Sequence, residues 1–310
     1  MLGQGARRTI LLVGAVVFVA AGGYLYVTDH TVVTQAQGRV SNPIWTLWLL
    51  VAVSAACVRL LPWRAPDAVL MSRVRTAIAG HDVRREMVVL LGCLAGVYPL
   101  YWMLSQLLAL VDPKVAVLAY FTAKVVLLLI VPVVFVGSSG LLRRGTGGAD
   151  LMELVTSVTD VWRWAGLVAF AAYFYLHFFA PWAMAVPARD RLPEDYAALL
   201  EVLLVLATAA LLEEFFFRAL LQTRLELLLG RWSAIVVTSL LYALASLIAA
   251  EPPAGPLLAV AMAVAVQGAA GLLYGYLWSR YRNIWVNFLF HAGVSVLAIY
   301  PELTVGGAPG

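Results

Sequence analysis

Nine stretches of almost wholly apolar residues dominate the sequence: 9–27, 44–62, 87–111, 115–136, 164–186, 197–221, 233–250, 257–279 and 284–300. A helix rises ~1.5 Å per residue and has ~30 Å of hydrocarbon to cover, so each run is long enough to cross a bilayer, the last only just. Hydrophobic residues make up 63% of the 310 and charged ones 12%. An ordinary soluble domain runs at ~45–50% and ~25%. The expected fold is therefore all-α, a multi-pass transmembrane helical bundle of about nine spans. The first run follows Arg7 and Arg8, as the core of a signal peptide does, but it is longer than a typical h-region and reads as a retained helix.

The cations set the orientation. With the N-terminus in the cytoplasm, the inside segments hold Arg7, Arg8, Arg64, Arg73, Arg75, Arg84, Arg85, Arg143, Arg144, Arg163, Arg224, Arg231, Arg280 and Arg282. Only Arg39, Lys114, Arg189 and Arg191 fall outside. That bias, fourteen against four, satisfies the positive-inside rule and puts the C-terminus outside a cell inner (plasma) membrane. The usage of 19 Arg to 2 Lys beside abundant Ala, Val and Leu resembles a GC-rich bacterial genome. The cations are spread through short loops rather than massed in a patch, so a nucleic-acid partner is not expected; the lipid bilayer is. Cys57 and Cys93 lie in apolar runs without CxxC or Cys/His spacing and read as core residues. The glycine-rich stretch Arg144-Gly-Thr-Gly-Gly-Ala-Asp150 divides a four-helix membrane region, 1–160, whose role the sequence does not disclose, from a second unit, 161–310.

Ionisable groups are costly within a span, and each one invites a functional question. Arg59 and Glu201 lie near helix ends, where snorkelling accounts for them. Lys124 is near mid-helix and reads as a cation paired to a carboxylate or carbonyl; His177, among aromatic residues, reads as a packing histidine. Glu213-Glu214-Phe-Phe-Phe-Arg218 is different. Two adjacent carboxylates inside an apolar helix, seven or eight residues from the end of its run, have no packing rationale. Glu214 and Arg218 stack at i, i+4, while Glu213 points ~100° away. One carboxylate is held and the other left free, and neighbouring carboxylates resist ionising together, which suits Glu213 to taking a proton from water.

Two further helices carry polar stripes. Asn287, His291 and Ser295 recur every four residues in the last run, and Thr238, Ser239, Tyr242 and Ser246 share a face of the seventh. Hydroxyls on such helices usually bond back to the i−4 carbonyl or glue helices together. At ~1.5 Å per residue, His291 and Glu213 lie ~11 and ~12 Å from the cytoplasmic ends of their runs, so they are expected at one depth in a cavity open to the cytoplasm. The small residues from Gly268 to Gly275 predict close packing of the eighth run.

Together these features resemble the CAAX prenyl endopeptidase and bacteriocin-processing (CPBP, or Abi) family of intramembrane glutamate proteases. Glu213, Glu214 and Arg218 match its Glu-Glu-x-x-x-Arg motif, with the usual aromatic at Phe217. In the second motif, Phe-x-x-x-His, Tyr242 stands for the phenylalanine and Ser246 for the histidine. His291 with Ser295 resembles the third, and Gly271–Gly275 and Tyr281–Trp285 resemble its lead-in. The likeness covers about 197–300.

The resemblance implies that Glu213 activates the hydrolytic water, that Glu214 with Arg218 holds the helix, and that His291 with Ser295 stabilises the oxyanion. Ser246 donates a hydrogen bond but does not titrate near neutral pH, and an acid-base group is worth ~10²–10⁴-fold in rate. Tyr242 and Asn287 join Arg218 as expected binding residues. The reading is thus a CAAX-protease-like endopeptidase, without cofactor or metal, acting on membrane-embedded or lipidated peptides or proteins. The alternative is a non-catalytic relative that binds or stabilises a membrane partner or confers bacteriocin-type immunity. Zinc would need three protein ligands, and neither HExxH nor a second nearby histidine is present; a transporter using Lys124 and the carboxylates is the remaining option. The orientation makes a direct prediction: a cysteine placed near Gly148 should label from the cytoplasmic side and one at Gly307 from the opposite side, and reversed labelling would invert the topology.

Overall fold

The computed structural model describes residues 3–35, 40–63, 67–136, 159–180, 196–247 and 255–304. Helix α1 (Gln4–Val27) leads through an antiparallel ribbon, β1 (Val32–Gln35) against β2 (Val40–Pro43), into α2 (Ile44–Leu60). A short α3 (Asp67–Ala77) precedes the long α4 (Val83–Val111), whose first turn is capped by Asp82 accepting from the Arg85 amide at 3.2 Å. The next rod is α5 (Leu118–Lys124), a π-helical stretch Val125–Ile130, and α6 (Val131–Phe135). α7 (Leu167–Phe179) follows. Then comes the central rod: α8 (Tyr196–Glu214), a π-helical stretch Phe215–Gln222, and α9 (Thr223–Leu229). α10 (Arg231–Ser246) packs against α11 (Pro256–Ala263), which runs through a third π-helical stretch, Val264–Gly268, into α12 (Ala269–Tyr281); α13 (Ile284–Thr304) ends the described chain.

All nine apolar runs fold as helix or helical turns where they are described, so the all-α expectation holds, with the β1–β2 ribbon as the one addition among the described residues. Four segments, Gln4–Val27, Val83–Val111, Pro113–Phe135 and Pro256–Tyr281, are long and apolar enough to cross a membrane by length and composition. Their outward faces carry exposed Leu12, Val16, Val19, Trp102, Leu110 and Val134, as a surface that meets lipid requires. The proposed divide at residues 144–150 lies outside the described residues. One buried cluster draws on both sides of it, from Leu50, Val58, Leu90 and Val97 to Phe216, Leu221, Trp278 and Phe290.

The glycines of α12 do what their spacing predicts. A Cβ on Gly271 would lie 3.2 Å from the Ser239 Cα, and one on Gly275 would lie 3.0 Å from Oε1 of Gln222. α12 thus closes on α10 and the central rod at backbone distance.

The central rod departs from expectation. Its apolar run stops at Leu221, but the helix continues to Leu229. Gln222, Thr223, Arg224 and Glu226 carry it on, all buried, because partners in the protein interior satisfy them. Arg224 Nε donates to Glu86 of α4 at 2.6 Å, and the other Glu86 oxygen meets His81 at 2.7 Å. Glu226 pairs with Arg282 and accepts from the Ser279 hydroxyl and, at 3.0 Å, from Gln222. Trp278 Nε1 donates to Thr223 at 3.1 Å. This polar layer plugs the end of the bundle where α10 begins. A helix turned inward on every side needs its polar residues paired, and removing one partner of a buried ion pair costs about 3–5 kcal/mol. Glu226→Ala, which orphans Arg282, should therefore lower stability by about that amount in detergent; thermal unfolding within 1 °C of wild type would argue that the layer carries no load.

Candidate functional site

Helical geometry turns Glu213 and Glu214 in different directions, and the two meet different surroundings. Glu214 is fully buried. Arg218 Nε reaches its Oε2 at 3.3 Å, Asn287 Nδ2 donates to the same oxygen at 3.0 Å, and His291 Nδ1 meets Oε1 at 3.0 Å. The motif's held glutamate is thus held from two helices. Arg218 lies 5.5 and 5.7 Å from the ring centroids of Tyr242 and Tyr274, so its charge is met by a carboxylate and two aromatic faces. Asn287 also donates to the Tyr274 carbonyl at 2.9 Å, fixing α13 against α12.

His291 joins the two carboxylates. Its Nε2 lies 3.1 Å from the Tyr242 hydroxyl and 3.7 Å from Oε2 of Glu213, and its ring stacks on Tyr274 with centroids 5.0 Å apart. The side chains of Glu213 and His291 therefore approach more closely than a bridging water would require. The shared depth has a different origin from the one expected, since the central rod runs on to Leu229 and the end of the run at Leu221 is no end at all.

Glu213 is not free. Its Oε1 pairs with Lys124 at the end of α5, whose ammonium also lies 4.5 Å from the Tyr120 ring centroid. Lys124 is the site residue the motifs missed. Its depth within an apolar run was the only signal, and that signal called for a carboxylate or a backbone carbonyl as partner without saying which. Ser246 faces the same cavity, but its hydroxyl donates to the Ala243 carbonyl at 2.7 Å rather than to Glu213. Ser239 likewise bonds back to Ile235, at 2.6 Å. Ser295 lines the cavity one turn beyond His291.

The cavity measures about 450 Å³. It runs from Glu213 and His291 along α8 to Val205 and along α10 and α13 to Ser246 and Ser295, with Lys124 and Tyr120 on the opposite wall. This is away from the end where α10 begins. The reason is the polar layer: Gln222, Thr223, Arg224 and Glu226 fill the bundle on that side. All three π-helical stretches among the described residues border the cavity, through Leu128, Phe217 and Gln267. Such widened turns re-aim side chains and recur at functional sites.

A helical membrane protein with a carboxylate pair, a histidine and a lysine around an internal cavity is the class this geometry defines. Residues 195–297 match the family model Rce1-like, described as type II CAAX prenyl endopeptidase Rce1-like. Over that third or so of the sequence the chain is similar to CAAX-type endopeptidases, the resemblance the motifs carry. No curated protein and no solved structure matches it. Lys124 lies outside the matched residues, and its contact with Glu213 is open to a double-mutant cycle. Lys124→Met and Glu213→Gln should each destabilise, and the double variant should cost less than their sum by about 1–3 kcal/mol; strict additivity would show that the pair does not form.

Proposed function

We propose that the protein is a glutamate-dependent intramembrane endopeptidase acting on membrane-embedded or lipidated peptides. The observation that carries this reading is the convergence of Glu213, His291 and Tyr242 on one internal cavity, with Glu214 buried behind the histidine. A water in that cavity gives a proton to Glu213 as its oxygen attacks the scissile carbonyl. The carbonyl oxygen takes up the negative charge and is met by donors, the Tyr242 hydroxyl and Nε2–H of a protonated His291. Glu214 accepts from Nδ1 and so aims the opposite nitrogen at the cavity, which is its task here. Glu213 then passes its proton to the departing amine as the C–N bond breaks, so no proton is left over. The Rce1-like match supports a membrane-associated substrate.

Lys124 does two opposing things here. It sets a positive charge beside Glu213, the base of this reaction, and it occupies an oxygen that a water would use. That occupancy favours a second reading, a relative that binds a membrane partner in the cavity without cutting it. Ser246 weighs the same way, since its hydroxyl is spent on the backbone.

Processing of the physiological substrate separates the readings. For a protease, Glu213→Gln should reduce cleavage by about 10²–10⁴-fold while Ser246→Ala changes it little. Ser246→His should raise cleavage by restoring the family's acid-base group. If function persists in Glu213→Gln and fails only when the cavity or the Glu214–Arg218 pair is disturbed, the binding reading replaces the catalytic one. Strong proteolysis that survives Glu213→Gln would discard the glutamate mechanism itself.

A further inference from the structure

Beyond the polar layer, at the end of the bundle where α10 begins, lies a second cavity of about 250 Å³. Its walls carry Arg7, Arg75, Arg231 and Arg282 against Asp67 and Glu226. Two of these arginines are already neutralised: Arg231 meets Asp67 at 3.0 Å, and Arg282 pairs with Glu226. Arg7 and Arg75 have no ion-pair partner among the described residues, so the described lining carries two more positive charges than it pairs. Several guanidinium N–H groups of the residues that line it are buried and unpaired. Nε of Arg282, a side chain 1% exposed, has no hydrogen-bond partner, nor do Nε of Arg7 and Nε and Nη2 of Arg231. The backbone is arranged to admit Arg7. Gly230 has φ +84°, and a Cβ there would lie 3.2 Å from the Arg7 guanidinium carbon. Ser233 in the first turn of α10 donates to the Arg7 carbonyl at 3.3 Å, so the arginine is docked at a helix start, where the backbone dipole also favours an anion.

An apolar groove adjoins this cavity. It occupies about 430 Å³ between α2, α10 and α12, lined by Val51, Ala55, Val236, Leu272 and Leu273, with Trp232 and Tyr276 also in its wall. Those two rings stack with centroids 5.7 Å apart, and the Arg231 guanidinium lies 5.5 and 5.7 Å from them. Arg231 thus belongs to the charged cavity and touches the wall of the groove. Donors for a phosphate beside a slot for a hydrocarbon chain match one chemistry. We infer that this end of the bundle holds an anionic phospholipid, its phosphate headgroup in the arginine cavity and an acyl chain in the groove. The arginine bias places the site in the cytoplasmic leaflet.

The test uses the full chain purified in a neutral detergent, with binding of phosphatidylglycerol, phosphatidylcholine and inorganic phosphate measured separately by native mass spectrometry. Phosphatidylglycerol should bind about tenfold or more tightly than phosphatidylcholine. Arg7→Gln with Arg75→Gln, which breaks no ion pair, should erase that preference while leaving the unfolding temperature of the lipid-free protein unchanged. Ala55→Phe, which fills the groove, should weaken phosphatidylglycerol and spare any binding of inorganic phosphate. The inference fails if the two lipids bind alike, if only inorganic phosphate binds, if the preference survives the double arginine change, or if Ala55→Phe leaves phosphatidylglycerol untouched.

Discussion

A single buried carboxylate, Glu214, organises the site. Taking an ionised carboxylate out of water is costly, and it is tolerated only where several donors meet it. Here they come from Arg218 on its own rod and from Asn287 and His291 on α13. The requirement fixes the rotation of the central rod, the register of α13 against it, and the tilt of the His291 ring. Because neighbouring residues on a helix point ~100° apart, holding Glu214 inward forces Glu213 toward the cavity. The cavity-facing carboxylate is aimed by its neighbour's need for partners.

Ion pairs of the same kind tie the N-terminal helices to the matched region. Glu86 of α4 meets Arg224, and Lys124 of α5 meets Glu213. Within a bilayer there is no water to take over a broken pair, so these contacts bind the first helices to the rod more specifically than apolar packing can. The matched residues 195–297 supply the carboxylates and the histidine, but the opposite wall of the cavity is built from Leu94, Val97, Tyr120 and Lys124. The cavity is thus completed from outside the matched segment.

What the sequence made legible follows from how local each signal is. Hydropathy over twenty residues is local, and the apolar runs duly appear as helices. The i, i+4 contact of Glu214 with Arg218 is local too, and so are the four-residue stripe through His291 and the glycine face of α12. The extension of the central rod to Leu229 was hidden, because Gln222, Arg224 and Glu226 look like a helix end until partners as distant as Glu86 and Arg282 are known. The same blindness concealed the partner of Lys124, 89 residues from Glu213 in the chain. Which end of a bundle is plugged is decided by long-range pairing, and no local pattern encodes it.

The two departures from the family's second motif lie four residues apart on one face of α10, and their chemistry is linked. Replacing a phenylalanine by Tyr242 adds a hydroxyl, and that hydroxyl meets Nε2 of His291 at 3.1 Å. With Nδ1 turned to the Glu214 carboxylate, the neutral ring carries its proton on Nδ1 and offers Nε2 as the acceptor for Tyr242. In that form His291 has no proton to give a developing oxyanion, and Tyr242 has its own proton committed to the ring. Replacing the histidine by Ser246 removes an imidazole from the same face, and the serine turns its proton to the Ala243 carbonyl. Each polar group of α10 that faces the cavity is therefore satisfied inside the protein, as Glu213 is by Lys124. A carbonyl that is to take a donor from Tyr242 or Ser246 must displace one of these bonds. Protonating His291 does so directly, because it turns Nε2 into a donor and frees the Tyr242 proton in the same step.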